Sequence, residues 1–519
     1  MTPEARSTHT SPWVDTMDPP RTYGQLADAG GADVIVIGAG VVGLTSAVLL
    51  QQAGLEVAVL EGHDLTASVT THSTVKVTVG HGTTYSQIAQ KRDRATAAAY
   101  AQANVAGMET LTALAQDLRI DCDLRAGQRH LVYAAGSSDA ALVEAELSIA
   151  QELGLPAVRV EEPDLPFAVA AAVGFEDQAT LHPGRYVQGL LAAFLGSGGV
   201  MVTGVRVTDV EEGRDGCIVS SSAGDVSAAQ VVVATGSPIL DRGGHFARLT
   251  ATRSYGVAGI LPGPADPGMT INVGSPTHST RTVELDGERL LIVVGEGHEV
   301  GHDDNTDERW ERLRGWAGAH FGVKEFRYHW SAEETHSDDL VPFAGLIDPS
   351  AQRVYTATGF AGWGMTNGTA SAMLISALAT GQEPPAWAST FDARRAQTAL
   401  PGAQFVKENL HVAKTWVKDR VLPARPSEEV ASLEPGEGSV FHIDERDTAV
   451  CRDDDGRLHA VSAVCTHLGC NVAWNRGEKS WDCPCHGSRF SMDGDVLHGP
   501  ASAPLEQRSV GDSVGEDSG

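Results

Sequence analysis

The chain has 519 residues, 42% of them hydrophobic and 20% charged, with a formal net charge of −29. That length exceeds one ordinary core and predicts about three structural units. No apolar run approaches the ~20 residues that span a bilayer, and the acidity excludes a nucleic-acid partner, which needs clustered Lys and Arg; the excess charge reads as a solvated surface.

In chain order, residues 1–30 (MTPEARSTHTSPWVDTMDPPRTYGQLADAG) are polar and Pro-containing, which predicts a disordered tail. They hold no apolar h-region of the Sec type, so the cytoplasm is the expected compartment. ADVIVIGAGVVGLTSAVLLQQAGLEVAVLEG then places an apolar strand before Gly38, Gly40 and Gly43, a helix ending near Gly54, and a second strand ending at Glu61. This is the dinucleotide fingerprint in its required context. The first glycine makes the tight turn, the second admits a pyrophosphate, and the third lets the helix pack on the strand with its N–H groups toward the anion. Glu61 is placed to accept hydrogen bonds from a ribose. The fingerprint alone leaves FAD and NAD both open.

VVVATGSPIL predicts a strand running into Thr235 and Gly236, positions that close over a nucleotide. HEVGH, His298 to His302, satisfies the H-E-x-x-H pattern of zinc proteases, but it follows a predicted strand and precedes a helix starting near Thr306, so the helix that would align both histidines is missing. VYTATGFAGWGMTNGTASAM leads a strand through Gly359, Gly362, Gly364, Met365, Thr366 and Gly368 into a helix. A helix N-terminus there can stabilise the charge a flavin gains on reduction, which a nicotinamide would not need.

On these stretches the chain resembles the FAD-dependent oxidoreductases of the D-amino-acid oxidase, sarcosine and glycine oxidase superfamily. The resemblance implies an α/β FAD-binding Rossmann-like domain with an interleaved α+β substrate domain over residues 31–385. It also singles out HDLTASVTTHSTVKVT, where Thr70, Thr71 and His72 match a stretch whose histidine touches, and in some relatives covalently joins, the flavin. Arg253, Tyr255 and Arg281 are candidates for a substrate carboxylate, with structural salt bridges as the alternative.

Residues 386–436 contain FDARR, a helical stretch AQFVKENLHVAKTWVKDRV and a Pro/Glu/Ser-rich linker. Residues 437–510 alternate and turn like a small antiparallel β-domain. Within it CTHLGC and CPCHGS each offer one thiolate, one imidazole and one further cysteine. All-thiolate sites and two-histidine zinc fingers do not use this order. A Rieske [2Fe–2S] centre does, with two Cys on one iron and two His on the other.

By match to the Rieske motif the metal ligands are Cys465, His467, Cys483 and His486, in an all-β domain. The resemblance to the Rieske proteins of respiratory and photosynthetic complexes further implies a disulfide between Cys470 and Cys485, against the usual rule for a cytoplasmic protein. Ser488 sits where a hydroxyl donates to the cluster, and Phe490 where high-potential relatives carry Tyr. Cys122, Cys217 and Cys451 show no pattern. The whole chain resembles the bacterial FAD-dependent oxidoreductases with a C-terminal Rieske domain.

The cofactors implied are FAD and a Rieske [2Fe–2S] cluster. The implied activity is a dehydrogenase that oxidises a small amine or amino-acid-like molecule, less readily a C–O bond, and passes single electrons to an external acceptor protein or quinone. The alternatives are an electron-transfer or redox-sensing protein, or the reductase partner of an oxygenase. A second nucleotide fingerprint and a D/E-x-x-H-x-x-x-x-H run are both missing, which weighs against a reductase and against an oxygenase.

Overall fold

The structure is a computed structural model and describes residues 8–264, 266–303, 305–395 and 424–510. The chain divides into two compact units. The first holds the described residues up to Gly236 together with Ser254–Gly297 and Trp310–Arg395; the second holds Ser237–Arg253, His298–Arg309 and the described C-terminal residues.

The first unit is built on a six-stranded sheet. Its elements in chain order are β1 (Val34–Ile37), helix α1 (Val41–Gln52), β2 (Val57–Glu61), β3 (Val200–Thr203), β4 (Gln230–Gly236), β5 (Phe343–Leu346), β6 (Val354–Thr358) and helix α2 (Gly364–Ala379). The strand order is β5-β6-β4-β1-β2-β3, parallel except for the β5–β6 pair. β1 is buried at every position, as a strand covered on both faces must be. A second, ten-stranded and mainly antiparallel sheet includes Arg125–Ala134, Ala171–Thr180 and His278–Leu285. The α/β layer and this interleaved sheet match the expected class.

The second unit carries two four-stranded sheets. One joins Arg425–Pro426, Gly438–Ile443, Arg446–Arg452 and Leu458–Ser462; the other joins Ala473–Asn475, Ser480–Asp482, Arg489–Phe490 and Val496–His498. Trp481, Phe490, Val461 and Ala449 are fully buried in its core.

Two expectations change. The described part of the N-terminal tail is ordered: Thr8–His9 pairs in parallel with Tyr328–His329, and Trp13 is fully buried, donating its indole N–H to the Ser73 carbonyl at 2.8 Å. One large aromatic anchors a segment whose average composition is polar, because an indole offers both apolar area and a donor. The span 386–436 is likewise only partly a linker. Trp387 and Phe391 are buried, and Arg395 pairs with Asp339 at 2.9 Å, so the first unit continues to that arginine. Val430 and Leu433 are buried against the C-terminal strands. The helical stretch read at 403–421 lies outside the described residues.

Candidate cofactor sites

In the first unit the predicted nucleotide residues gather at the carboxyl end of the parallel sheet. Gly38 leaves β1 at φ +101°, and a Cβ there would stand 2.6 Å from the Ala234 carbonyl oxygen. A Cβ on Gly43 would stand 1.9 Å from the Gly38 carbonyl oxygen, so the helix and turn approach as only glycine allows. Gly40 caps α1, and Thr70 Oγ1 accepts the Val41 N–H at 3.1 Å in that first turn. The Glu61 carboxylate accepts the N–H groups of Ala39 and His63 at 2.8 and 2.9 Å, tying the acid to the glycine turn.

Thr71 is buried, its hydroxyl 2.8 Å from the carbonyls of Thr66 and Ser68. His72 rests Nδ1 3.0 Å from the Ser68 carbonyl, and its own carbonyl accepts the Trp330 indole N–H. At the end of β4, Thr235 leads into Gly236, whose carbonyl accepts the Thr358 hydroxyl at 2.5 Å. Gly359 follows at φ +81° and donates its N–H to Thr335. Gly364 opens α2, with Met365 and Thr366 buried in its first turn.

Sequence reasoning missed a buried polar network beside that turn. His81 Nδ1 meets the Tyr100 hydroxyl at 2.7 Å, and Asn367 Nδ2 donates to the same hydroxyl at 3.0 Å. Thr366 Oγ1 lies 3.3 Å from His81 Nε2, and the Trp363 ring stacks on the imidazole at 4.5 Å. Burial pushes the His81 pKa down to about 3, so the ring is neutral. Close by, Lys76 Nζ donates to the Thr270 carbonyl at 2.5 Å and lies 3.5 Å from His130 Nε2; burial and then Arg281 hold the amine well below its usual value. The bonded positions Thr366 and His81 are 285 residues apart, so no local spacing could reveal them.

The carboxylate candidates contact other protein groups. Arg281 donates to the carbonyls of Thr74, Val75 and Leu181, each at 2.9 Å, and lies over Trp13. Tyr255 is buried edge-on to Trp310. Arg253 stands 3.9 Å from Asp482 within the second unit. HEVGH runs from the end of strand Glu288–Glu299 into a turn, so its two histidines do not share a helical face.

In the second unit the cysteine–histidine loops close alike: Cys465 N–H donates to the Cys470 carbonyl at 2.8 Å, and Cys483 N–H to the Ser488 carbonyl at 2.7 Å. Cys470 and Cys485 form a disulfide of 1.96 Å, so neither is free to hold metal although their sulfurs lie within 4.8 Å of Cys483. The Cys465 and Cys483 thiols are hydrogen-bonded; chiefly for that reason Cys465 falls to about 7 and Cys483 rises well above its usual value. His467 and His486 lie perpendicular, centroids 4.9 Å apart. The Nδ1 atoms of both are buried without a hydrogen-bond partner. Two orphaned imidazole nitrogens beside two paired thiols are the donor set of a Rieske cluster, since an unpaired buried polar atom is costly unless something ligates it.

A family model for FAD dependent oxidoreductases matches residues 33–378, well over half the chain. The chain belongs to that family. A second model, for the Rieske [2Fe-2S] domain, matches residues 422–509. The protein is therefore an FAD-dependent oxidoreductase whose cofactors are FAD and a [2Fe-2S] cluster. It is 31% identical, over 95% of this chain and 96% of the other, to a Bacillus subtilis (strain 168) protein named as the Rieske 2Fe-2S iron-sulfur protein YhfW. It is 38% identical to the cytochrome b6-f complex iron-sulfur subunit of Chlorobaculum thiosulfatiphilum over 19% of this chain and 60% of that one. Glycine oxidase from Geobacillus kaustophilus shares the fold at a TM-score of 0.60 and 18% identity, over 70% of this chain and 99% of its own. Among the described residues no helix is long and apolar enough to cross a membrane.

Proposed function

We propose that this oxidoreductase is a dehydrogenase that oxidises a small amine or amino-acid-like substrate and delivers the electrons one at a time to an external acceptor. The observation that carries this reading is the paired thiols and orphaned imidazole nitrogens of a one-electron site in a chain of the FAD family. When bound, FAD supplies a two-electron hydride acceptor and the cluster a one-electron carrier.

The chain's own residues do the holding and positioning. Gly38, Gly40 and Gly43 leave the backbone bare for a pyrophosphate, and the first turn of α1 directs its N–H groups there. Glu61 would accept from the ribose beside its two backbone bonds. Thr70, Thr71 and His72, together with Thr235, Gly236, Gly359, Gly364, Met365 and Thr366, would hold the flavin, and the α2 N-terminus would stabilise the negative charge it gains on reduction. Cys465, His467, Cys483 and His486 would ligate the cluster. Substrates of the C–N class are supported by the neighbouring folds, named glycine oxidase and L-proline dehydrogenase.

The test is anaerobic mixing of purified protein with amines, N-methyl amino acids, D-amino acids and NADH, following flavin absorbance. Bleaching by an amine-type donor supports the reading; bleaching by NADH alone makes the protein a reductase, and none with any donor makes it an electron carrier or sensor.

A further inference from the structure

Two segments outside the C-terminal match belong to the second unit and meet the cluster loops. In the first, Asp241 Oδ1 lies 2.8 Å from His467 Nε2. Because His467 Nδ1 is the orphaned nitrogen, the ring's proton sits on Nε2 and is donated to the carboxylate. Phe246 lies edge-on to both cluster histidines, with centroids 5.8 Å from His467 and 5.3 Å from His486. A Cβ on Gly499 would meet Ile239 at 3.3 Å, so this segment also packs on the loop that follows the last strand. In the second segment His302 Nε2 lies 3.2 Å from the Pro484 carbonyl, and a Cβ on Gly301 would stand 2.7 Å from the Pro484 backbone. The His467 side chain is left 6% exposed, while Asp241 keeps 52%.

We propose that Asp241 is a positioning residue for the cluster: it fixes His467 through Nε2–H, lowers the cluster's reduction potential, and with Phe246 closes the histidine edge to an outside acceptor. Reduction adds one electron to the cluster and breaks no bond, so the reduced state is the more negative one. A carboxylate hydrogen-bonded to a ligand disfavours that state, both by its charge and by making the imidazole a stronger donor to the metal. On His467 the nitrogen that an open edge would offer to a quinone is already engaged by Asp241, and on His486 the Phe246 ring stands edge-on to the imidazole. An outside acceptor then takes electrons elsewhere on the unit's surface.

The test uses the full holoprotein. EPR-monitored dithionite titrations at one fixed pH compare wild type with Asp241→Asn and Asp241→Glu, and Asp241→Ser replaces Asn if that variant loads no cluster. The neutral variant should favour the reduced state about tenfold more than wild type, a midpoint about 59 mV higher at one electron. Asp241→Glu keeps the charge and should stay within about threefold of wild type, about 28 mV at one electron. A neutral variant inside that same threefold overturns the role in setting the potential. Excess menadione should leave the g values of the wild-type cluster unchanged and shift them in Phe246→Ala. A shift in wild type, or none in the variant, overturns the closed edge.

Discussion

Replacing both Cys470 and Cys485 by Ser removes a cross-link that spans 15 residues and joins the two cluster loops. In the chain-entropy account a closed loop of that length stabilises by about 3 kcal/mol, because it restricts the unfolded chain. Dividing by a urea m-value of about 2 kcal/mol per M moves the unfolding midpoint of this unit down by about 1.5 M. Trp474 and Trp481 pack against each other in its core, centroids 4.8 Å apart, and the cluster ligands lie in the same unit, so the share of near-UV circular dichroism from this tryptophan pair and the EPR signal of the reduced cluster report the same unit. Both signals should shift together in the double variant. A change below about 0.3 M with full cluster content would refute the reasoning, since it would mean the cross-link restrains nothing that the folded strands do not already restrain.

Gly43→Ala puts a methyl group into the 1.9 Å approach to the Gly38 carbonyl and should cost at least about 1–3 kcal/mol, read as a lower Tm and lost FAD content. Glu146 accepts the Tyr85 and Ser86 N–H groups, yet burial raises it from the usual 4.5 to about 7. Its folded pKa is the higher one, so the stability it contributes is fully present below pH 4.5 and lost as pH rises through about 7; Glu146→Gln should flatten that slope in urea titrations. Ser488 is fully buried beside Cys465, and Phe490 is fully buried in the same core. A hydrogen bond to a charged centre is worth about 1.5 kcal/mol or more, so Ser488→Ala should lower the cluster midpoint, and Phe490→Tyr raise it, by on the order of 60 mV. Redox titration by EPR reads both, and an unmoved midpoint in either removes that residue from the tuning.

What the sequence made legible is local. The glycine turn from Gly38 to Gly43 and the two cysteine–histidine loops each occupy a few consecutive residues, and their chemistry depends on that spacing. The Cys470–Cys485 bond was available through resemblance to proteins with the same loops. The parts that escaped notice depend on partners far along the chain. Trp13 needs Ser73 and Arg281 to become an anchor, and Arg395 needs Asp339. His81 becomes a buried neutral base only beside Tyr100 and Thr366. Asp241 finds His467 across 226 residues, and nothing in RGGHF or its flanks marks that carboxylate. Average polarity misled at both ends of the first unit, because one buried aromatic with a donor outweighs a run of exposed polar neighbours.

The most direct test of the central claim is a single anaerobic turnover with the best amine-type donor, following flavin absorbance by stopped flow and the cluster by freeze-quench EPR. The account predicts flavin bleaching first, then a Rieske signal at a rate that does not depend on protein concentration. Flavin bleaching with the cluster still oxidised at the end would contradict it.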